Sequence, residues 1–215
     1  VIKIFQNMKL AMGIFLALGL SCEASLADTV STARDGRADC LKNKGNQTLT
    51  IASNEKPKEM THEQIVSGLR AANEVAREMK KFGHHPFGAI LVGPDNEKVI
   101  MTQGNINVVR HAETELARRA AETYSEDYLA NCTLVTTMEP CAMCAGTIYW
   151  ANIGRVVFGG TEDMLRKLTG DSKMNQTLNV PSKYIFDHGQ KPIQLVGPVP
   201  EMESELLEPH KGFWK

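Results

Sequence analysis

The 215-residue sequence is short of several things, and each absence narrows the field. It lacks a charge excess: 24 Lys and Arg against 25 Asp and Glu leave a formal net charge of -1 and a pI near 6.7. That balance removes the basic stripe on which nucleic-acid binding usually rests. The longest apolar run, Leu10 to Leu20, is too short to span a bilayer comfortably. No internal repeat or low-complexity tract is visible, and a chain of this length suits one well-buried domain. A second pair of closely spaced cysteines is also missing. The cysteines fall at 22, 40, 132, 141 and 144, and only Cys141 and Cys144, in "MEPCAMCAG", have metal-ligand spacing.

The N-terminus reads as a targeting segment, with Lys3 and Lys9 ahead of the apolar run and small residues at Ala24, Ser25 and Ala27. The expected organisation is a signal peptide over 1–27, a polar N-terminal arm over 28–58, and a single domain with a capping tail over 59–215. If the signal works, the protein is exported, periplasmic or secreted; otherwise it is cytoplasmic.

Within the domain, Thr61 caps a helix whose apolar positions Ile65, Leu69, Ala72, Val75 and Met79 recur at helical spacing. "FGAILVG" and "EKVIMTQGN" flank Pro94, Asp95 and Asn96 as a hairpin. "HAETELARRAAETY" is helical, "CTLVTTM" a buried strand, and a further helix is expected from Pro140 through Trp150. "RVVFGG" and a segment near Ile193 complete the strands. Alternating helices and strands after a hairpin predict an α/β fold with a mixed sheet covered on both faces.

One cysteine pair cannot close a four-coordinate structural zinc site. Taken alone it fits a redox dithiol or half of such a site equally well. His111, directly after a loop and at the start of a helical run, is the candidate third ligand. His plus two Cys leaves a tetrahedral position open to water, the mark of a catalytic zinc, which brings that water's pKa to about 7. Glu113, two residues beyond, is placed to carry its proton.

"HAE" with "PCAMC" resembles the signature of the zinc-dependent nucleobase and nucleoside deaminases. "HPFGAILV", "HAETELARRA" and "LVTTMEPCAMCAGTIYWANIGRVVFG" are similar to consecutive blocks of the guanine deaminase and tRNA adenosine deaminase branch of the cytidine deaminase-like superfamily. The resemblance covers roughly Thr61 to Gly160. It implies a three-layer α/β/α sandwich around a five-stranded mixed sheet, and Zn2+ held by His111, Cys141 and Cys144 with Glu113 as the catalytic proton shuttle. It further implies Asn105 and the Ala112 N–H as base contacts, Phe87 as a pocket wall and Trp150 as a residue of guanine-specific members. Asp163 or Asp171 would be a second acid, and Trp214 or Phe213 in the tail a lid. The implied reaction is hydrolysis of a free base, guanine to xanthine and ammonia, by a homodimer. Cytosine, a nucleoside or another amino-heterocycle are the alternatives within the enzyme class. A tRNA substrate is disfavoured by charge and export, and a zinc-stabilised binding module without turnover is the reading from outside that class. Cys40 and Cys132 could pair in an oxidising compartment.

Overall fold

Strand side chains alternate between the two faces of a sheet, and here both faces are apolar, so a helical layer is required on each side. The computed structural model describes residues 57–215 and shows that arrangement. The expected signal peptide, Cys40 and most of the expected arm lie outside the described residues.

Helix α1 (His62–Lys81) starts on a capping box between Thr61 and Gln64. Strands β1 (Gly88–Val92) and β2 (Val99–Gly104) form the hairpin, with Asn96 in the turn at φ 63. Helix α2 (Ala112–Thr123) and a single turn α3 (Glu126–Leu129) lead to β3 (Thr133–Met138). Helix α4 (Ala142–Trp150) and strand β4 (Arg155–Gly160) follow. The last section holds α5 (Glu162–Thr169), α6 (Ser182–Asp187), β5 (Gln194–Val196) and α7 (Glu203–Leu207), and it ends with a turn of 3-10 helix at Glu208–His210.

The sheet order is β2-β1-β3-β4-β5, antiparallel through the first three strands and parallel through the last three. Register pairs Ala89 with Thr136, Leu134 with Val156 and Met138 with Gly160. Ile90, Val92, Val135 and Val157 turn one way and pack with Leu69 and Ala72 of α1 and Leu206 of α7. Ala89, Leu91, Leu134 and Val156 turn the other way, onto Leu116 and Ala120 of α2 and Ala145 and Ile148 of α4. The three-layer sandwich and five-stranded mixed sheet expected from the sequence are therefore present. Gly88 marks how closely α1 lies on the sheet, since a Cβ there would run into the Ala72 carbonyl oxygen.

Two expectations need adjusting. Pro140 precedes the α4 helix instead of opening it, and Cys141 is the N-cap. Pro57 and Lys58, expected in a loose arm, are held against the core. The buried Arg155 guanidinium donates to the carbonyl oxygens of Pro57 (2.8 Å) and Lys58 (2.6 Å) and to Asn96 Oδ1 and Thr133 Oγ1. Among the described residues no helix is long and apolar enough to cross a membrane.

Candidate metal centre and active site

The parallel strands β3 and β4 end together at Met138 and Gly160, and the site lies in the crevice beyond their carboxyl ends. Open α/β sheets commonly place ligands there. Two helices begin at this edge. His111 is the N-cap of α2 and Cys141 the N-cap of α4, with Cys144 in the first turn of α4, so residues thirty apart in sequence converge.

Their ligand atoms form a small triangle. Cys141 Sγ and His111 Nδ1 are 3.7 Å apart, Cys144 Sγ and His111 Nδ1 3.5 Å, and the two sulfurs 3.6 Å. With Zn–S near 2.3 Å and Zn–N near 2.0 Å, a tetrahedral zinc has S–S edges of about 3.8 Å and S–N edges of about 3.6 Å. The donor set and its spacing thus fit zinc, and these are the residues brought within metal-binding reach among the described ones. The Cys144 thiol bonded to Cys141 sulfur, and then His111, hold the Cys141 thiol down at about 4. The bond to Cys141 and burial push Cys144 up. His111 is raised chiefly by its contact with Cys141. Both sulfurs would be thiolates once they ligate zinc, since the thiolate is the metal-binding form.

Glu113 is buried beside this triangle. Its Oε1 accepts from Thr136 Oγ1 at 2.7 Å, and its Oε2 lies 3.5 Å from Cys144 Sγ. Burial raises its carboxyl above the usual range, opposed by the Thr136 hydroxyl. Asn105 is buried too. Its backbone N–H donates to Phe87 oxygen, its Nδ2 to Asn107 oxygen at 3.3 Å, and its Oδ1 has no partner. A buried acceptor without a donor is costly, and a ligand N–H is one way to satisfy it. Ala112 occupies the first helical position, where a backbone N–H has no intrahelical acceptor.

A cavity of about 30 Å3 adjoins the triangle, bounded among others by Phe87, Glu113, Met138, Glu139, Glu162 and Leu165. Trp214 closes this side from the same chain, in one cluster with Met138 and Leu165 and 5.9 Å from the Phe87 ring. The His210 ring stacks on Trp214 at 5.8 Å, and burial, then Lys80 and His85, hold it down at about 4. Both His210 ring nitrogens and Trp214 Nε1 are buried without partners.

The structure therefore brings together His111, Glu113, Cys141, Cys144, Phe87 and Ala112, with Asn105 behind Phe87 and Trp214 over it. It does not bring in Trp150 or the two aspartates. Trp150 ends α4, which runs about 12 Å away from the ligands at 1.5 Å per residue. It is 78% exposed there, against Tyr149 and the Lys191 ammonium. Asp163 faces solvent, paired with Arg166 and Lys167 at 2.7 Å each, and Asp171 is exposed beyond the end of α5.

The acids at the site are instead Glu162, next to Asp163 in sequence, and Glu139, two residues before Cys141. Burial first, then the charges of Cys141, Glu113 and Glu139, push the Glu162 carboxyl up to about 8. Glu139 Oε1 accepts from the Ser182 N–H and hydroxyl at 2.9 Å, and its Oε2 from the Glu162 N–H at 3.3 Å. Thr136 is a further contributor absent from the sequence reading. The available signals were its place two residues before Met138 on a buried strand, and Glu162 directly after a parallel strand.

Comparison with known proteins agrees with this chemistry. Residues 62–160 match the family model described as the cytidine and deoxycytidylate deaminase zinc-binding region. A probable cytosine deaminase of Schizosaccharomyces pombe is 40% identical over 156 residues, covering 71% of this chain and 93% of that protein. A tRNA-specific adenosine deaminase of Haemophilus influenzae is 36% identical over 126 residues, covering 53% and 72%. Among solved structures, that of a guanine deaminase from Nitrosomonas europaea superimposes with a TM-score of 0.53 at 21% identity, over 76% of this chain and 92% of that one.

Proposed function

The chain belongs to the zinc-dependent deaminases of the cytidine and deoxycytidylate deaminase family, and we propose that its substrate is a free pyrimidine base, cytosine, hydrolysed to uracil and ammonia. Two considerations support cytosine over the guanine implied by the sequence resemblance. The purine reading leaned on Trp150, which lies outside the cavity. The likeness to a probable cytosine deaminase runs over nearly all of that protein, whereas the sequence likeness to a guanine deaminase of Bacillus subtilis, 39% identical over 72 residues, covers less than half of that one, and the structural likeness speaks to the fold alone.

His111, Cys141 and Cys144 would hold zinc, which when bound would supply a Lewis acid that makes water nucleophilic at neutral pH. The remaining chemistry belongs to the chain's own side chains. The Glu113 carboxylate takes the water's proton as oxygen adds to the amino-bearing carbon and passes it to the adjacent ring nitrogen; it then takes the proton of the added hydroxyl and gives it to the amine, so that the C–N bond breaks, the carbonyl forms and ammonia leaves. Thr136 fixes the direction from which Glu113 acts. Asn105 Oδ1 and the Ala112 N–H offer one acceptor and one donor to the ring edge, and Phe87 and Trp214 exclude water.

The observation that carries the deaminase chemistry is the triangle of two sulfurs and one nitrogen, with a buried carboxyl 3.5 Å from one sulfur, and the choice of cytosine rests on the likeness to the probable cytosine deaminase. Ammonia release by the zinc-loaded protein from cytosine, guanine, adenine, cytidine and guanosine tests it. Turnover of cytosine above the rest is expected. Guanine turnover in its place would return the purine reading, and no release from any base would remove the free-base function. Homodimer formation and export stay part of this proposal, checked by light scattering and by the N-terminus of the secreted protein.

A further inference from the structure

Two cavities meet at the metal centre. Beside the inner one of about 30 Å3 lies an open groove of about 440 Å3, bordered by His85, Val108 and Met143 and by Lys173–Leu178. The inner space has room for water but not for a ring, so a bound base takes up groove space as well. One piece of chain, 162–182, supplies walls to both. Glu162, Leu165 and Asn175 border the inner space, and residues 173–178 border the groove. Few bonds tie the middle of that piece to the body. Among the described residues, every hydrogen bond made by 170–180 stays within 166–180, as from the Ser172 N–H to Thr169 oxygen, the Asn175 N–H to Ser172 oxygen and the Val180 N–H to Leu178 oxygen.

Its two ends, by contrast, meet on one side chain. Glu162 and Ser182 are the first residues of α5 and α6, where a backbone N–H has no intrahelical acceptor. Neither N–H is satisfied by its own N-cap, because Thr161 accepts from the Met164 N–H and Pro181 gives no side-chain cap. The Glu139 carboxylate takes both. Its Oε1 accepts from the Ser182 N–H and hydroxyl at 2.9 Å each, and its Oε2 from the Glu162 N–H at 3.3 Å. Glu139 is itself fixed, since its own N–H donates to Gly160 oxygen at 2.7 Å, where β3 and β4 end. Ser182 is fully buried, so the junction is shielded from water.

We propose that Glu139 is a positioning residue for the deamination: by gripping both ends of 162–182 with one carboxylate, it sets the walls of the substrate space against the zinc ligands that begin two residues further on. Cutting the grip loosens the walls that receive the base and leaves Glu113, Thr136 and the ligands in place, so binding suffers more than the chemical step. Glutamate suits this task because it offers two acceptor oxygens to three donors. A glutamine bonded to Ser182 through its oxygen turns its own N–H groups towards the Glu162 N–H. Glu139 acts in this way whichever base is the substrate, and its role rests on the deaminase chemistry proposed above.

The test compares wild type, Glu139→Ala, Glu139→Gln and Ser182→Ala, all zinc-loaded, with metal content and thermal midpoint recorded. Kinetics use cytosine, or guanine should that be the base turned over, and amide hydrogen exchange reads the walls without any substrate. Glu139→Ala should keep one zinc per chain, raise KM about 10- to 100-fold, the range of hydrogen bonds to a charged group, and hold kcat within about threefold. Glu139→Gln should recover part of the KM loss. Ser182→Ala, which keeps the N–H bond, should raise KM less than Glu139→Ala does. In Glu139→Ala the amides of 162–180 and 182–185 should exchange at least about tenfold faster, with those of α2 and β3 unchanged. A KM within about threefold of wild type, a fall in kcat that follows loss of zinc, or exchange that rises equally throughout the domain overturns the role. If wild type turns over no base, the free-base reading fails, while exchange over 162–180 still decides whether Glu139 holds the walls. Should Glu139→Ala not fold, Glu139→Gln and Ser182→Ala decide the matter, and unchanged KM and exchange in both overturn the role.

Discussion

Thr136 Oγ1 lies 2.7 Å from Glu113 Oε1, and both side chains are buried. A strand of the central sheet thereby sets the orientation of the proton-carrying group on α2. Hydrogen bonds to charged groups contribute about 1.5–3 kcal/mol, so Thr136→Val should lower kcat about 10- to 100-fold with zinc content unchanged. Thr136→Ser, which keeps the hydroxyl, should stay within a few fold. Glu113→Gln should lose about 100- to 10,000-fold, the span of general acid–base catalysis. Steady-state kinetics beside metal analysis checks all three, and a fully active Thr136→Val would remove the orienting role.

The three described cysteines should behave differently. One zinc per chain is expected by metal analysis, lost on Cys141→Ser or Cys144→Ser together with activity. Cys132 is a buried thiol whose sulfur donates to Tyr128 oxygen, and burial pushes it up to about 12. Cys132→Ser should therefore leave the metal ratio at one.

The two tryptophans give opposite expectations. Trp214 lies on Phe87 and in the cluster with Met138 and Leu165, so Trp214→Ala should raise KM about tenfold or more by opening that wall to water. Trp150 is outside the cavity, and Trp150→Ala should leave both kinetic constants within about twofold when assayed well above any subunit dissociation. A large KM change in Trp150→Ala would show that its surface reaches a site in the assembled protein.

The contrast between the tryptophans shows what a sequence can convey. The fold was legible because continuous apolar runs of strand length, β1, β3 and β4, alternate with helical segments, of which α1 and α2 are amphipathic while α4 is apolar nearly all round. The ligands were legible because metal chemistry restricts residue type and spacing. The acids were not, since "TEDM" offers two adjacent carboxyls and only the start of α5 decides which turns inward: Glu162 faces the cavities, and Asp163 is drawn out by Arg166 and Lys167. Thr136 was hidden for a similar reason, as a β-branched residue on a buried strand needs no function to explain it.

Glu115 supplies a pH test away from the metal. Arg110 and Arg118 hold its nearly buried carboxyl at about 2, through two hydrogen bonds from Arg110 and one from Arg118. A carboxyl depressed on folding stabilises above its unfolded value and loses that contribution as pH falls towards the folded one. The gap in thermal midpoint between wild type and Glu115→Gln should thus be full at pH 7 and shrink from about pH 4.5 downwards. Both proteins are to be measured with zinc chelated, so that acid release of metal adds nothing. A gap constant to about pH 3 would mean that the ion pairs do not steady the loop before His111.

His111 and Cys141 each occupy a helix N-cap, and neither side chain bonds a backbone N–H there. Positions that elsewhere carry Ser, Asp or Asn forgo about 0.5–2 kcal/mol of capping each. The starts of α2 and α4 are consequently left to be tied by whatever joins those two side chains. In the unloaded chain, amide hydrogens over 112–115 and 142–145 should exchange faster than in the loaded one, while those of β3 stay protected. Acquiring zinc is then the final folding step of the two helix starts, and an immature molecule is distinguishable from a mature one by its local order before any substrate is offered.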